Sequence, residues 1–216
     1  MRLYIHDDEE RHAHHDDEDG IIGLIRQRNT IRLPVKTLAD LHSGLAQLVK
    51  DGKTFRRVLW MTHGVPGGIC FGDDRLNSDT LPDFAGKGYQ KLFPKTTKMY
   101  FSGCNVAGDE ECNGACNPAT RDVGWKFLEN VGKVFLQAGG YTMAWTSLGH
   151  GWNSKILRAI ASTHSLHFSG DVRIVTFGSG GKILERLSYN DDFWTGDVWE
   201  KYAILSKLTL IVPENA

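Results

Sequence analysis

The stretch VLWMTHGVPGGICFGD, residues 58–73, sets five mostly apolar residues before a His-Gly pair and then a Pro-Gly-Gly turn. Forty-one residues beyond His63, the stretch KMYFSGCNVAGDE, residues 98–110, does the same with Cys104. A short apolar run bounded by glycine and turn residues reads as a buried strand. Each of these two strands therefore brings one chemically versatile side chain to its end. In a parallel sheet that end is the carboxyl edge, where ligands and chemistry collect.

Working outward, the chain alternates strand and helix signals. RLYI and NTIRLPV read as strands, with Pro34 suited to an edge or a strand end. TLADLHSGLAQLVKDG reads as a helix: Thr37 is a good N-cap with Asp40 three residues on, and Leu38, Leu41, Leu45 and Leu48 share a face. Gly52 suits a left-handed cap after it. GGICFGDDRLN reads as a hairpin excursion, and residues 79–97 as a loop with at most one short helix.

VGWKFLENVGKVFLQAGG is predicted to be an amphipathic helix stopped by Gly139 and Gly140, followed by the strand YTMAWTS. NSKILRAIAST reads as a helix, DVRIVTFGSGGKILERLS as a hairpin, and YAILSKLTLIV as a last strand. This rhythm predicts an α/β fold, a mostly parallel central sheet flanked by helices with a C-terminal hairpin extension, in a single domain spanning residues 1–216.

Composition narrows the function classes. The 216 residues are 41% hydrophobic and 24% charged, without an apolar run near the ~18 residues of a membrane span. The opening MRLYIHDDEE lacks a signal pattern, so the expected location is cytoplasmic as synthesised, with export only by a specialised route. Residues 1–20 hold eight acids against Arg2 and Arg11, while the remainder is mildly basic with its cations scattered. No basic groove interleaved with aromatics is visible, which argues against nucleic acid as a partner. Four cysteines are too few for a disulfide-dense secreted scaffold, although Cys112 and Cys116 flank NGA at a spacing that permits a local bridge in an oxidising space.

The chemistry suggested by His63 and Cys104 is nucleophilic. If their strands are neighbours, the tips lie about 5 Å apart, and an imidazole beside a thiol can hold it as thiolate and protonate a leaving group. The backbone N–H groups of Gly64 and Cys104 are candidates for an oxyanion hole. On this reading Gly64 keeps the backbone open to substrate, so replacing it should lower turnover and leave stability nearly unchanged.

THGVPGGICFGDDRLN, MYFSGCNVAGDE and GWKFLENVGKVFLQAGGYTMAWTSLG together resemble the caspase-like superfamily of cysteine peptidases, which includes caspases, metacaspases, gingipains, separases and CHAT domains. The similarity spans about residues 55–150 and is nearest to the bacterial branch with a Thr-His-Gly-x-Pro-Gly and a Gly-Cys-Asn-Val-Ala motif. The resemblance implies His63 as general base or ion-pair partner, Cys104 as nucleophile and Gly64 as an oxyanion donor, with a polypeptide substrate and no cofactor or metal. It also nominates Ser102, Ser147, His150 and Trp152 for substrate binding; Trp152 reads equally well as a loop packing residue. Metacaspases carry an acid, and caspases a glutamine, where this chain has Ser102, so no charge for selecting P1 stands at that position.

Two function classes follow: a cysteine endopeptidase acting as a bacterial toxin, effector or processing module, or a catalytically silent caspase-like binding or scaffold module. Other signals rank below these. HDDEERHAHHDDED, residues 6–19, reads as a solvated, mobile acidic segment rather than a metal site. Cys104, Cys112 and Cys116 lack the paired C-x2-C spacing of common zinc sites. GSGGKI reads as a hairpin turn rather than a phosphate loop, and Trp194 and Trp199 as packing residues rather than a sugar platform. No Gly-x-Ser-x-Gly elbow is present.

Overall fold

The computed structural model describes residues 1–7, 29–101, 103–109, 122–146, 149–150, 167–168 and 171–190. In chain order its elements are β1 (Arg2–Asp7), β2 (Thr30–Val35), α1 (Leu38–Lys50), β3 (Arg57–Met61), β4 (His63–Val65), β5 (Gly68–Phe71), β6 (Asp74–Asn77) and β7 (Thr97–Phe101). There follow α2 (Val123–Phe135), β8 (Ala138–Trp145), β9 (Gly149–His150), β10 (His167–Phe168), β11 (Asp171–Ser179) and β12 (Ile183–Asn190).

The main sheet has seven strands in the order β12-β11-β8-β7-β3-β1-β2. β2, β1, β3, β7 and β8 run parallel, and β11 and β12 are antiparallel additions at the β8 side. The fold is therefore α/β with a mostly parallel mixed sheet. β4, β5 and β6 make a separate three-stranded antiparallel sheet that leaves the end of β3.

Handedness explains where the helices lie. The connections β2-α1-β3 and β7-α2-β8 step across the sheet in the same direction, so right-handed crossovers put both helices on one face. There Leu41, Leu45, Phe127, Leu128, Val131 and Phe135 pack with Leu3, Ile5, Val58, Trp60, Met99 and Phe101. The other face carries a second buried cluster containing Tyr4, Leu59, Tyr100, Tyr141, Met143, Trp145 and Ile174. Burial on both faces is why these strands read as continuous apolar runs instead of alternating ones.

Local signals were followed closely in α1. Thr37 Oγ1 accepts from the Asp40 backbone N–H at 3.1 Å while the Asp40 carboxylate accepts from the Thr37 N–H at 3.0 Å, a capping box made with aspartate. Gly52 follows at φ 63°. GSGGKI is the turn of the β11/β12 hairpin, with Gly180 and Gly181 at φ 72° and 69°.

Three expectations are corrected. Gly139 and Gly140 do not stop α2: the helix ends at Phe135, and both glycines stand inside β8. Gly140 has φ 138°, and a side chain there would overlap the Thr97 carbonyl oxygen on β7, so the glycine is required for strand approach. Residues 79–97 hold two short 3-10 turns, Leu81–Phe84 and Tyr89–Leu92, because their apolar residues dock against both helices: the Phe84 ring stacks on His42 of α1 at 3.8 Å and meets Phe135 of α2 edge-on at 6.2 Å. His6 and Asp7 belong to β1 rather than to a mobile segment: both pair with β2, and His6 also pairs with Met61 of β3. The remainder of that segment, and the helix and strand expected at residues 153–163 and 202–212, lie outside the described residues.

Candidate active site at the carboxyl edge

The parallel strands change winding direction between β1 and β3: the chain leaves β1 for β2 on one side and leaves β3 for β7 on the other. Crevices of α/β sheets open at the carboxyl ends of strands at such a switch point. Here those ends carry Asp7 on β1 and Thr62 and His63 after β3, with Gly103 and Cys104 after β7.

Register brings the last two pairs together. β3 and β7 pair with Trp60 beside Phe101, and continuing that alignment sets His63 beside Cys104. Backbone contact beyond the strands agrees. A side-chain carbon on Gly103 would stand 2.9 Å from both Cα and N of Gly64 and 3.0 Å from the Thr62 carbonyl oxygen. One on Gly64 would overlap the Cys104 carbonyl oxygen and lie 2.8 Å from the Cys104 nitrogen. Each glycine thus makes room for the other strand's continuation. This corrects the idea that Gly64 is bare so that a substrate can approach; the bare face is filled by the Cys104 backbone.

His63 is exposed and Cys104 half-buried, so both are within reach of a ligand at the edge. Thr62 Oγ1 donates to the His63 carbonyl at 2.9 Å, fixing the peptide that enters β4. Across the β4/β5 ladder His63 stands opposite Cys70. Burial pushes the Cys70 thiol above its ordinary pKa, with Asp7 adding to the shift and Arg75 opposing it. Cys70 is therefore held as a neutral thiol.

The cysteine sits in a tight turn whose far side is firmly anchored. Asn105 takes the left-handed conformation at φ 59°, and its carbonyl accepts from the Gly108 N–H at 2.9 Å. Val106 and Ala107 are fully buried. The Ala107 N–H donates to the Trp145 carbonyl at the end of β8 at 2.8 Å, and a side chain on Gly124 of α2 would overlap the Ala107 carbonyl. The Val106 carbonyl accepts from the Gly67 N–H of the β4/β5 turn at 3.2 Å. Histidine and cysteine segments are thus joined twice, through the glycine contact and through this bond.

Two groups at this edge were not singled out from the sequence. Asp7 is 9% exposed, and its signal was a polar residue straight after an apolar strand, hidden by the acidic run that follows. Arg173 on β11 bonds the Ala107 carbonyl and Asp109; its signal was a lone cation inside DVRIVTF.

The structure brings His63, Gly64 and Cys104 to one place. The His150 backbone pairs with that of His167 in the two-stranded β9/β10 ribbon. Ser102, Ser147, Trp152, Cys112 and Cys116 lie outside the described residues. Among the described residues no group of three or more His, Cys, Asp or Glu is placed to hold a metal ion. None of the described helices is long and apolar enough to cross a membrane. No protein-family model matches this chain, and no curated protein matches it.

Proposed function

We propose that the chain is a caspase-like cysteine endopeptidase working through a His63–Cys104 dyad. What supports the reading is the interlocking of Gly64 with Gly103 and Cys104, which puts an exposed imidazole and a half-buried thiol on adjoining strand continuations beside the switch point. In the proposed reaction His63 takes the Cys104 proton, and the thiolate sulfur attacks the scissile carbonyl carbon. The resulting oxyanion is received by backbone N–H groups of Gly64 and Cys104. As the C–N bond breaks, His63 returns the proton to the departing amine. Water, deprotonated by His63, then cleaves the thioester and releases the acid product with the thiol restored.

The substrate is a polypeptide, and no cofactor enters these steps. The test is turnover of a fluorogenic peptide library by wild type and by Cys104→Ala, together with alkylation by iodoacetamide at pH 6. The expected result is turnover that vanishes in Cys104→Ala, and labelling of Cys104 ahead of Cys70, Cys112 and Cys116. Equal labelling of all four thiols with no turnover would favour the silent binding module, a reading supported by the uncharged Ser102 two residues before the cysteine.

A further inference from the structure

We infer that Arg173 is a positioning residue for Cys104, acting through the turn that carries the thiol; this rests on the peptidase reading for its effect on turnover, but not for its effect on the thiol. Arg173 projects from β11, where it pairs with Ala144 of β8, and reaches past the end of β8 to the cysteine turn. One guanidinium nitrogen donates to the Ala107 carbonyl at 2.7 Å and to Asp109 Oδ1 at 3.1 Å, and the other donates to Asp109 Oδ2 at 3.1 Å. The fork matches a carboxylate in a way that an ammonium does not. Its side chain is 17% exposed against 35% for Asp109, so the pair is partly desolvated.

The guanidinium is itself held in place. It lies 5.0 Å from the ring centre of Trp125 in the first turn of α2. Arg186 on β12 lies 5.8 Å from the same ring and pairs with Glu129 one turn further along. Ala107 is consequently gripped at both polar atoms, its N–H by β8 and its C=O by β11.

Only Asn105 and Val106 separate that anchor from Cys104, and β7 fixes the chain on the other side through Gly103. A turn so short, with Asn105 already in the left-handed region, cannot shift Ala107 without rotating the Cys104 peptide. Loss of the fork therefore changes the direction of the thiol and of the Cys104 N–H without removing either. Catalytic geometry is sensitive to displacements of about 1 Å.

The test compares wild type with Arg173→Gln, Arg173→Lys and Asp109→Asn in the full chain. For each, peptide kcat and KM, thermal midpoint, and the rate of Cys104 alkylation from pH 5 to 9 are measured, with Cys70 as internal control. The expected result for Arg173→Gln is a kcat at least tenfold lower with KM within about twofold, and a Cys104 alkylation profile altered in rate or midpoint while that of Cys70 is unchanged. Arg173→Lys should recover part of the loss, since one ammonium reaches either acceptor but not both. If Arg173→Gln fails to fold, Asp109→Asn keeps the Ala107 bond and should show a smaller change in the same direction. Unaltered Cys104 alkylation in folded Arg173→Gln and Asp109→Asn would overturn the inference, whether or not wild type cleaves peptides. Absence of peptide turnover in wild type with altered Cys104 alkylation in the variants would instead remove the peptidase reading and keep this one.

Discussion

Gly64 and Cys104 meet backbone to backbone: the face of Gly64 where a side chain would stand is occupied by the carbonyl oxygen and nitrogen of Cys104. A close approach of this kind ties the histidine segment to the cysteine segment through main-chain atoms, which no side-chain rearrangement can replace. It also makes the two glycines structural requirements of the site.

For this reason Gly64→Ala and Gly103→Ala are each expected to destabilise the fold by about 1–3 kcal/mol, as overpacking does. Each kcal/mol should lower the thermal midpoint by about 2–4 °C at this chain length. Scanning calorimetry on the two variants checks this. An unchanged midpoint for Gly64→Ala would mean that the glycine serves only to keep the backbone open to substrate, as the sequence alone suggested.

Under the proposed mechanism, Cys104→Ala and His63→Ala should each abolish nearly all peptide turnover, and the double variant should lose little more than either. Groups that act on one transition state are strongly non-additive. Losses that multiply in the double variant, or full turnover in Cys104→Ala, would count against a dyad. His63 is exposed, so His63→Ala should keep a thermal midpoint near that of wild type.

Cys70 provides an internal reference for thiol reactivity. Burial raises its pKa, so the thiolate that reacts with iodoacetamide is scarcer at Cys70 than at an ordinary cysteine at any pH below its titration. We expect Cys70 to label slowly at pH 6–8 and to accelerate only as the pH rises through its raised value. Mass spectrometry of labelled peptides measures this. Rapid labelling of Cys70 at pH 6 would contradict its burial.

Tyr4 should leave a mark on alkaline stability. Its pKa is pushed up to about 12, chiefly by burial, with Arg32 acting weakly against the shift, and its hydroxyl donates to Met61 Sδ at 3.2 Å. A group whose folded pKa exceeds its unfolded value near 10 stabilises fully below about pH 10, and that contribution is lost as pH rises toward 12. Tyr4→Phe should therefore show a shallower fall of thermal midpoint between pH 9.5 and 11.5 than wild type. Parallel curves for the two proteins would refute the assignment.

The capping box of α1 gives a separate check on local structure. Thr37→Ala removes the side-chain bond to the Asp40 N–H and should cost about 1 kcal/mol of stability. Denaturant unfolding with an unchanged slope and a lower midpoint is the expected signature.

The sequence by itself determined what depends on neighbours a few residues away. Apolar runs defined β3 and β7 and delivered His63 and Cys104 to their ends; Thr37 with Asp40 marked the start of α1; Gly180 and Gly181 marked the β11/β12 turn. These signals work because strand period, helix capping and left-handed turns are local properties of the backbone. Only the tertiary structure decided which distant segments lie side by side. Nothing near Arg173 in the chain says that its guanidinium ends on Ala107 and Asp109, 66 and 64 residues away. Nothing in the acidic opening separates Asp7, buried at the switch edge, from the acids that follow it. Gly139 and Gly140 looked like a helix stop because the glycine signal is the same; the work of Gly140 in β8 exists only where β7 comes close enough to leave no room for a side chain, while Gly139 has φ 88° beside Phe177 of β11.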